Sequence, residues 1–136
     1  MAKIEDVDKL LHEYNQKYNT QFKMSMKYAL FPKEDEYGYT KSWPGNGSAG
    51  VYFLMSEDNH LIYVGQSKDL GQRFYQHFPP KENSSKSTCT FSENWSIKPY
   101  SIYVTTTPEN AKWERLSLEE YLIQKLNPID NKQGKI

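Results

Sequence analysis

A single cysteine, Cys89, stands among the 136 residues. No disulfide can form within the chain, and such sparing use of cysteine fits a reducing compartment. Charge of one sign is missing too: 17 Lys and Arg balance 17 Asp and Glu, a formal net charge of zero. The global basic excess that marks many nucleic-acid binders is therefore absent. No apolar run approaches the roughly 18 residues of a membrane span. The opening stretch, MAKIEDVDKLL, interleaves charged with apolar residues and cannot form the core of a signal peptide. A soluble, cytoplasmic protein is expected. The histidines, His12, His60 and His77, share no ligand spacing with one another or with Cys89, which argues against structural zinc.

Large aliphatic residues are also scarce: Leu, Ile, Val and Phe make up about a fifth of the chain, borderline for a folded protein. Disorder, however, also needs a high net charge. Aromatic residues fill the gap, with 11 Tyr, 6 Phe and 3 Trp able to bury large surfaces or to stack on bases and sugars. The length suits one domain.

Residues 3–19 place Ile4, Val7, Leu11, Tyr14 and Tyr18 on one helical stripe. Residues 32–50 concentrate Pro, Gly, Asp and Ser and read as a loop or arm. Two runs rich in β-branched and aromatic residues, 50–57 and 61–67, flank Asp58-Asn59-His60 and predict a β-hairpin. Asp69 can cap a helix carrying Leu70, Phe74, His77 and Phe78, which Pro79-Pro80 stops. A Ser-rich loop over 81–95 leads to a strand over 96–106, with Pro99 suggesting an edge or a bulge. Thr107-Pro108 reads as the N-cap and first position of a helix running to about Leu126, ended by Asn127-Pro128. The order predicts an α/β (α+β) layer with antiparallel strands.

Two features stand out chemically. On the last helix, Leu116, Leu122, Ile123 and Leu126 form an apolar arc with Glu119 near its middle, while Glu120 projects about a quarter-turn away. A carboxylate there is costly unless it is paired, protonated or bound to a cation, or reaches solvent from the edge of the core. On the preceding helix, Arg73 and His77 are i, i+4 neighbours. The chain uses Lys fifteen times and Arg twice, so Arg73 suggests planar, multidentate contact with an anion. A helix ion pair beside a surface histidine is the plainer alternative.

Gly50-Val51-Tyr52, followed by Tyr63-Val64-Gly65 with its tyrosine eleven residues on, resembles the signature of the GIY-YIG nucleases. The resemblance continues through Leu70, Arg73 and His77. It ends with Glu119, the apolar pair Leu122-Ile123, Pro128 at +9 and Asn131 at +12, a spacing that Glu120 does not satisfy. It spans residues 50–131. A division follows: an N-terminal helix and arm over 1–45, packed on or extending from the core, and a nuclease-like domain over 46–136.

The resemblance implies a central three-stranded antiparallel sheet flanked by helices, and hydrolysis of DNA phosphodiesters with one divalent cation, Mg²⁺ or Mn²⁺, per site. It implies that Glu119 holds the metal and that Arg73 contacts the scissile phosphate. Tyr52 would act as general base and Tyr63 would position water or phosphate, with Asn131 supporting the site beside Glu119. A phenol of ordinary pKa ~10 needs help to act as a base, and His77 is the group at hand, as in family branches with Arg and His one turn apart.

Neutral net charge weakens the case for DNA, because affinity rests on phosphate neutralisation. Local clustering offsets it: Lys68, Arg73, Lys125, Lys132 and Lys135 fall in or near the motif helices and the C-terminal tail. The leading expectation is a metal-dependent DNA endonuclease acting on duplex, branched or single-stranded DNA. A catalytically reduced module binding nucleic acid or protein is the alternative. Homodimerisation through the N-terminal helix is a further expectation.

Overall fold

The computed structural model describes residues 1–30, 43–79, 91 and 94–131. Most of the 32–50 arm, most of the 81–95 loop, Cys89, Lys132 and Lys135 lie outside the described residues. Helix α1 spans Ile4–Tyr18, strand β1 Tyr28–Ala29, β2 Gly50–Met55 and β3 Leu61–Ser67. Helix α2 spans Leu70–His77, β4 Ser101–Thr106 and α3 Glu114–Leu126. The strands pair antiparallel in the order β1-β4-β2-β3.

Strand β2 is the axis of the fold. Its six residues are all buried, because side chains alternate between two covered faces. Val51, Phe53 and Met55 join Val7, Leu11 and Tyr14 of α1 and Leu118, Leu122 and Ile123 of α3 in one core. Tyr52 and Leu54 join Leu70 and Phe74 of α2, with Phe78, in the other. The stripe expected on α1 thus buries Val7, Leu11 and Tyr14 inside the chain, while Tyr18 at its end is half exposed. After α1 the Asn15 side chain receives the Phe22 amide and Thr20 hydroxyl and donates to the Phe22 carbonyl, at 2.8–2.9 Å, folding Phe22 back into the core.

Four expectations need correction. The sheet has four strands, not three: the two-residue β1 pairs with Ile102 and Ser101, too short to leave a period in the sequence. The strand over 96–106 narrows to Ser101–Thr106, since Pro99 supplies no amide to a ladder and Ser96 is tied instead to Asp130. Thr107 does not cap the last helix. Its hydroxyl donates to the Ala49 carbonyl at 3.2 Å, residues 108–113 form turns, and the helix starts at Glu114. Finally, the buried face of α3 is Arg115, Leu118, Leu122 and Ile123. Leu116 is 48% exposed, and Glu119 lies half-buried beside that face rather than in the middle of an arc.

The two leucines make the revised face testable. Leu118→Ala removes a fully buried side chain and is expected to lower stability by about 2–5 kcal/mol. Leu116→Ala should stay within about 0.5 kcal/mol of the parent. Urea denaturation of both variants checks the assignment.

Candidate active site

Strand alternation and register build the first half of the site. Tyr52 projects from β2 toward α2, and Tyr63 from the neighbouring β3 packs on the same core. Tyr52 lies opposite Gly65 in the ladder. A Cβ at position 65 would overlap Cζ and Oη of Tyr52, so the phenol can lie across β3 only because that residue is glycine.

Helix α2 supplies the second half. The Asp69 carboxylate caps it by accepting the Gln72 amide at 3.2 Å, as expected from the sequence. Leu70, Phe74 and His77 then face the sheet. The Tyr52 hydroxyl and His77 Nε2 are 2.6 Å apart, and His77 is 1% exposed. It is therefore not a surface histidine. The rings of Phe74 and Tyr63 pack around Tyr52 at 5.1 and 6.0 Å. Arg73, half-buried one turn before His77, holds Gln76 Oε1 through Nη1 at 3.2 Å.

Burial raises the Tyr52 phenol far above its ordinary range, and neighbouring Tyr63 adds to the effect. The Arg73 guanidinium opposes it by charge and hydrogen bonding. Tyr52 is thus a neutral phenol in hydrogen-bond contact with His77 Nε2, and the imidazole tautomer decides which of the two donates.

Glu119 and Asn131 approach from elsewhere. Helix α3 packs on the opposite face of the sheet from α2. Burial raises the Glu119 carboxyl above its ordinary value; Arg115 opposes this and Glu120 reinforces it. Glu120 itself is exposed. Asn131 is buried and grips the main chain of Val64 twice: Nδ2 donates to the carbonyl and Oδ1 accepts the amide, both at 2.8 Å. Its direct partner is therefore the middle residue of the Tyr63-Val64-Gly65 triad. Lys68 and Lys125 are exposed, the latter with Nζ 5.8 Å from the Tyr121 ring centre.

No cluster of three His, Cys, Asp or Glu occurs among the described residues. One half-buried carboxylate nevertheless suits Mg²⁺, which keeps most of its waters and is commonly bound by one or two carboxylates plus substrate phosphate. Glu119 fits that requirement. A cavity of about 540 Å³ lined by Tyr14 and Tyr18 of α1 and by Trp113, Glu120 and Tyr121 at α3 includes no residue of the tyrosine–histidine cluster.

Two residues at the site went unnoticed in the sequence. Trp95 packs edge-on to Tyr63 at 5.4 Å and lies 5.6 Å from His77, but nothing in its polar, Ser-rich surroundings points to that contact. Arg115 is buried one turn before Glu119. Its signal was available, for it is the second of only two arginines and precedes Glu119 by four residues.

Residues 48–133 match the pattern of the GIY-YIG catalytic domain. The chain belongs to the GIY-YIG family. It is similar to UvrABC system protein C of Cytophaga hutchinsonii, 31% identical over 102 residues that cover 75% of this chain and 16% of that protein. The proteins of the same name from Pseudoalteromonas translucida and Dictyoglomus thermophilum are each 35% identical, over 60% and 63% of this chain. The matched segments cover 12% and 13% of those proteins. The curated relatives are thus several times longer than the part they share with this GIY-YIG chain. The family signature coincides with the geometry: Tyr52 and Gly65, which belong to its two triads, are the residues in contact across the ladder.

That contact makes Gly65→Ala a sharp probe. The added methyl should displace the Tyr52 ring, lower stability by about 1–3 kcal/mol, and abolish the His77 Nε2 hydrogen bond. Imidazole ¹⁵N shifts, read beside a urea melt, would report both effects.

Glu119 offers a second test. Its raised folded-state pKa means that stability is complete below the ordinary value of 4.5 and is lost as pH rises through the folded value. Glu119→Gln lacks this loss. In EDTA the variant should melt above the parent at neutral pH, and the difference should close near pH 4.5.

Proposed function

We propose that this chain is a divalent-metal-dependent DNA endonuclease. The observation that carries the proposal is the buried 2.6 Å hydrogen bond between Tyr52 and His77, beneath the helix that presents Arg73. A phenol whose pKa burial has raised cannot ionise freely at neutral pH, so a tyrosine base needs a partner ready to take its proton. His77 Nε2 is placed to do so. As Tyr52 Oη accepts a proton from the attacking water, its own proton passes to Nε2, which leaves His77 as imidazolium. The oxygen of water bonds to phosphorus while the bond to the leaving nucleoside oxygen breaks, and that oxygen takes its proton from solvent.

Arg73, half-buried and close enough to act on the Tyr52 phenol, supports contact with the same phosphate and stabilises the extra negative charge of the transition state. Tyr63 orients the water or a phosphate oxygen through its hydroxyl. Mg²⁺ or Mn²⁺ on Glu119, when bound, supplies Lewis-acid stabilisation of phosphate oxygens. Asn131 holds the triad strand in place through Val64. Exposed Lys68 and Lys125, together with Lys132, add phosphate contacts. The relationship to UvrABC system protein C supports an action on DNA.

Nicking of supercoiled plasmid, with Mg²⁺ and with EDTA, tests the proposal. Tyr52→Phe and Glu119→Gln should abolish nicking while the proteins stay folded. Glu120→Gln should retain it, and Arg73→Lys should lose more than tenfold, above about 1.4 kcal/mol in barrier. Full activity in EDTA, or in Glu119→Gln, would refute the metal assignment.

A further inference from the structure

The mechanism above leaves the chain's other arginine unused. Arg115, the second residue of α3, is 7% exposed. Its Nε donates to Gln66 Oε1 at 2.7 Å and its Nη1 to the Lys112 carbonyl at 2.6 Å. Both acceptors are neutral. Among the described residues Arg115 has no ion-pair partner, and Nη2 has no hydrogen-bond acceptor. A guanidinium withdrawn from water is strongly unfavourable unless an anion or a full set of acceptors compensates it. This one is clamped at two nitrogens, while the third, Nη2, is not sealed from solvent and stays open to a ligand.

Its position explains what would complete it. Gln66 directly follows Gly65 on β3, the residue crossed by the Tyr52 ring. The Arg115 guanidinium is therefore anchored on the residue that follows the glycine crossed by the Tyr52 ring. Glu119, one turn further on, acts on Arg115 only through its field, and metal binding would neutralise that field. Arg73 belongs to α2, on the other face of the sheet. The two arginines thus approach neighbouring strands from opposite sides, Arg73 at Tyr52 of β2 and Arg115 at Gln66 of β3, and with Nε and Nη1 engaged Arg115 keeps Nη2 for a phosphate oxygen.

We propose that Arg115 is a phosphate-binding residue, which takes through Nη2 a backbone phosphate of bound DNA other than the scissile one at Arg73. The proposal rests on the reading of the chain as a DNA-acting enzyme. Its preset guanidinium would bind with little loss of side-chain freedom, and its charge would enter the salt dependence of binding as one phosphate neutralised.

Anisotropy of a fluorescein-labelled DNA duplex, titrated with protein in EDTA across a series of NaCl concentrations, tests this without cleavage. Arg115→Gln should weaken binding and reduce the slope of log Kd against log salt by about 0.9, the value for one lost phosphate contact. Arg115→Lys should keep the slope yet bind more weakly, because it keeps the charge and loses the two contacts that preset the guanidinium. Lys17→Gln, on α1 beside the Tyr18 ring, should match the parent. Should Arg115→Gln fail to fold, the double variant Gln66→Leu with Arg115→Met replaces both buried polar partners and strands neither. It must show the same loss of slope. A parental slope in a folded Arg115→Gln or double variant overturns the proposal. Absence of salt-dependent binding by the parent itself overturns the DNA reading beneath it.

Discussion

The contact between Tyr52 and Gly65 constrains everything around it. An aromatic ring lies across the neighbouring strand only where that strand carries no side chain, and only one register of the hairpin brings the two residues opposite each other. A slip of one residue would turn Tyr52 to the other face of the sheet, into the layer filled by Val7, Leu11, Leu118 and Leu122. The correct register sends its hydroxyl to His77 on α2, at a point where Asp69 has already fixed the start of that helix. Core packing and proton chemistry are therefore decided by the same pairing, which is why the signature joins a strand tyrosine to a glycine one strand away.

Much of this was legible in the sequence, for identifiable reasons. The hairpin carried β-branched and aromatic residues on both sides of a polar turn. Helix α2 announced itself with a capping aspartate, an apolar stripe and a terminating proline, and α1 with a stripe of regular period. The site was legible where spacing was rigid: two triads on paired strands, Arg73 and His77 one turn apart, and a Glu followed at fixed intervals by Pro and Asn. What stayed hidden was decided by tertiary context. Strand β1 exists because β4 offers it an edge. Thr107-Pro108 carries a helix-start signal that the Ala49 carbonyl diverts. Leu116 and Leu118 have the same hydropathy, and only the sheet chooses between them. Trp95 reaches Tyr63 from a distant loop, a contact that no local pattern encodes.

Electrostatically, a neutral chain can still act on a polyanion if its cations are concentrated and held. Lysine is spread over the surface at small cost. The two arginines sit on separate helices, one half-buried and one buried, where a planar cation can be oriented before a ligand arrives. Glu119, one turn after Arg115, is itself unsettled by burial. Charges that are partly desolvated and held in fixed geometry would, in the proposed reading, gain most from ligands that bring both a cation and phosphate.

Asn131 bears on a different matter. Strand β3 is the last in its sheet, and such a strand offers unpaired amides and carbonyls to any passing chain. Here Asp130 donates its amide to the Ile62 carbonyl, and the Asn131 carboxamide occupies both main-chain groups of Val64. A backbone and a side chain together imitate one more strand without forming one. The outward hydrogen-bonding positions at the middle of β3 are already filled, which leaves that stretch of the edge closed to a strand from another molecule. The residue that grips the Tyr63-Val64-Gly65 triad is thus also the one that caps its exposed edge.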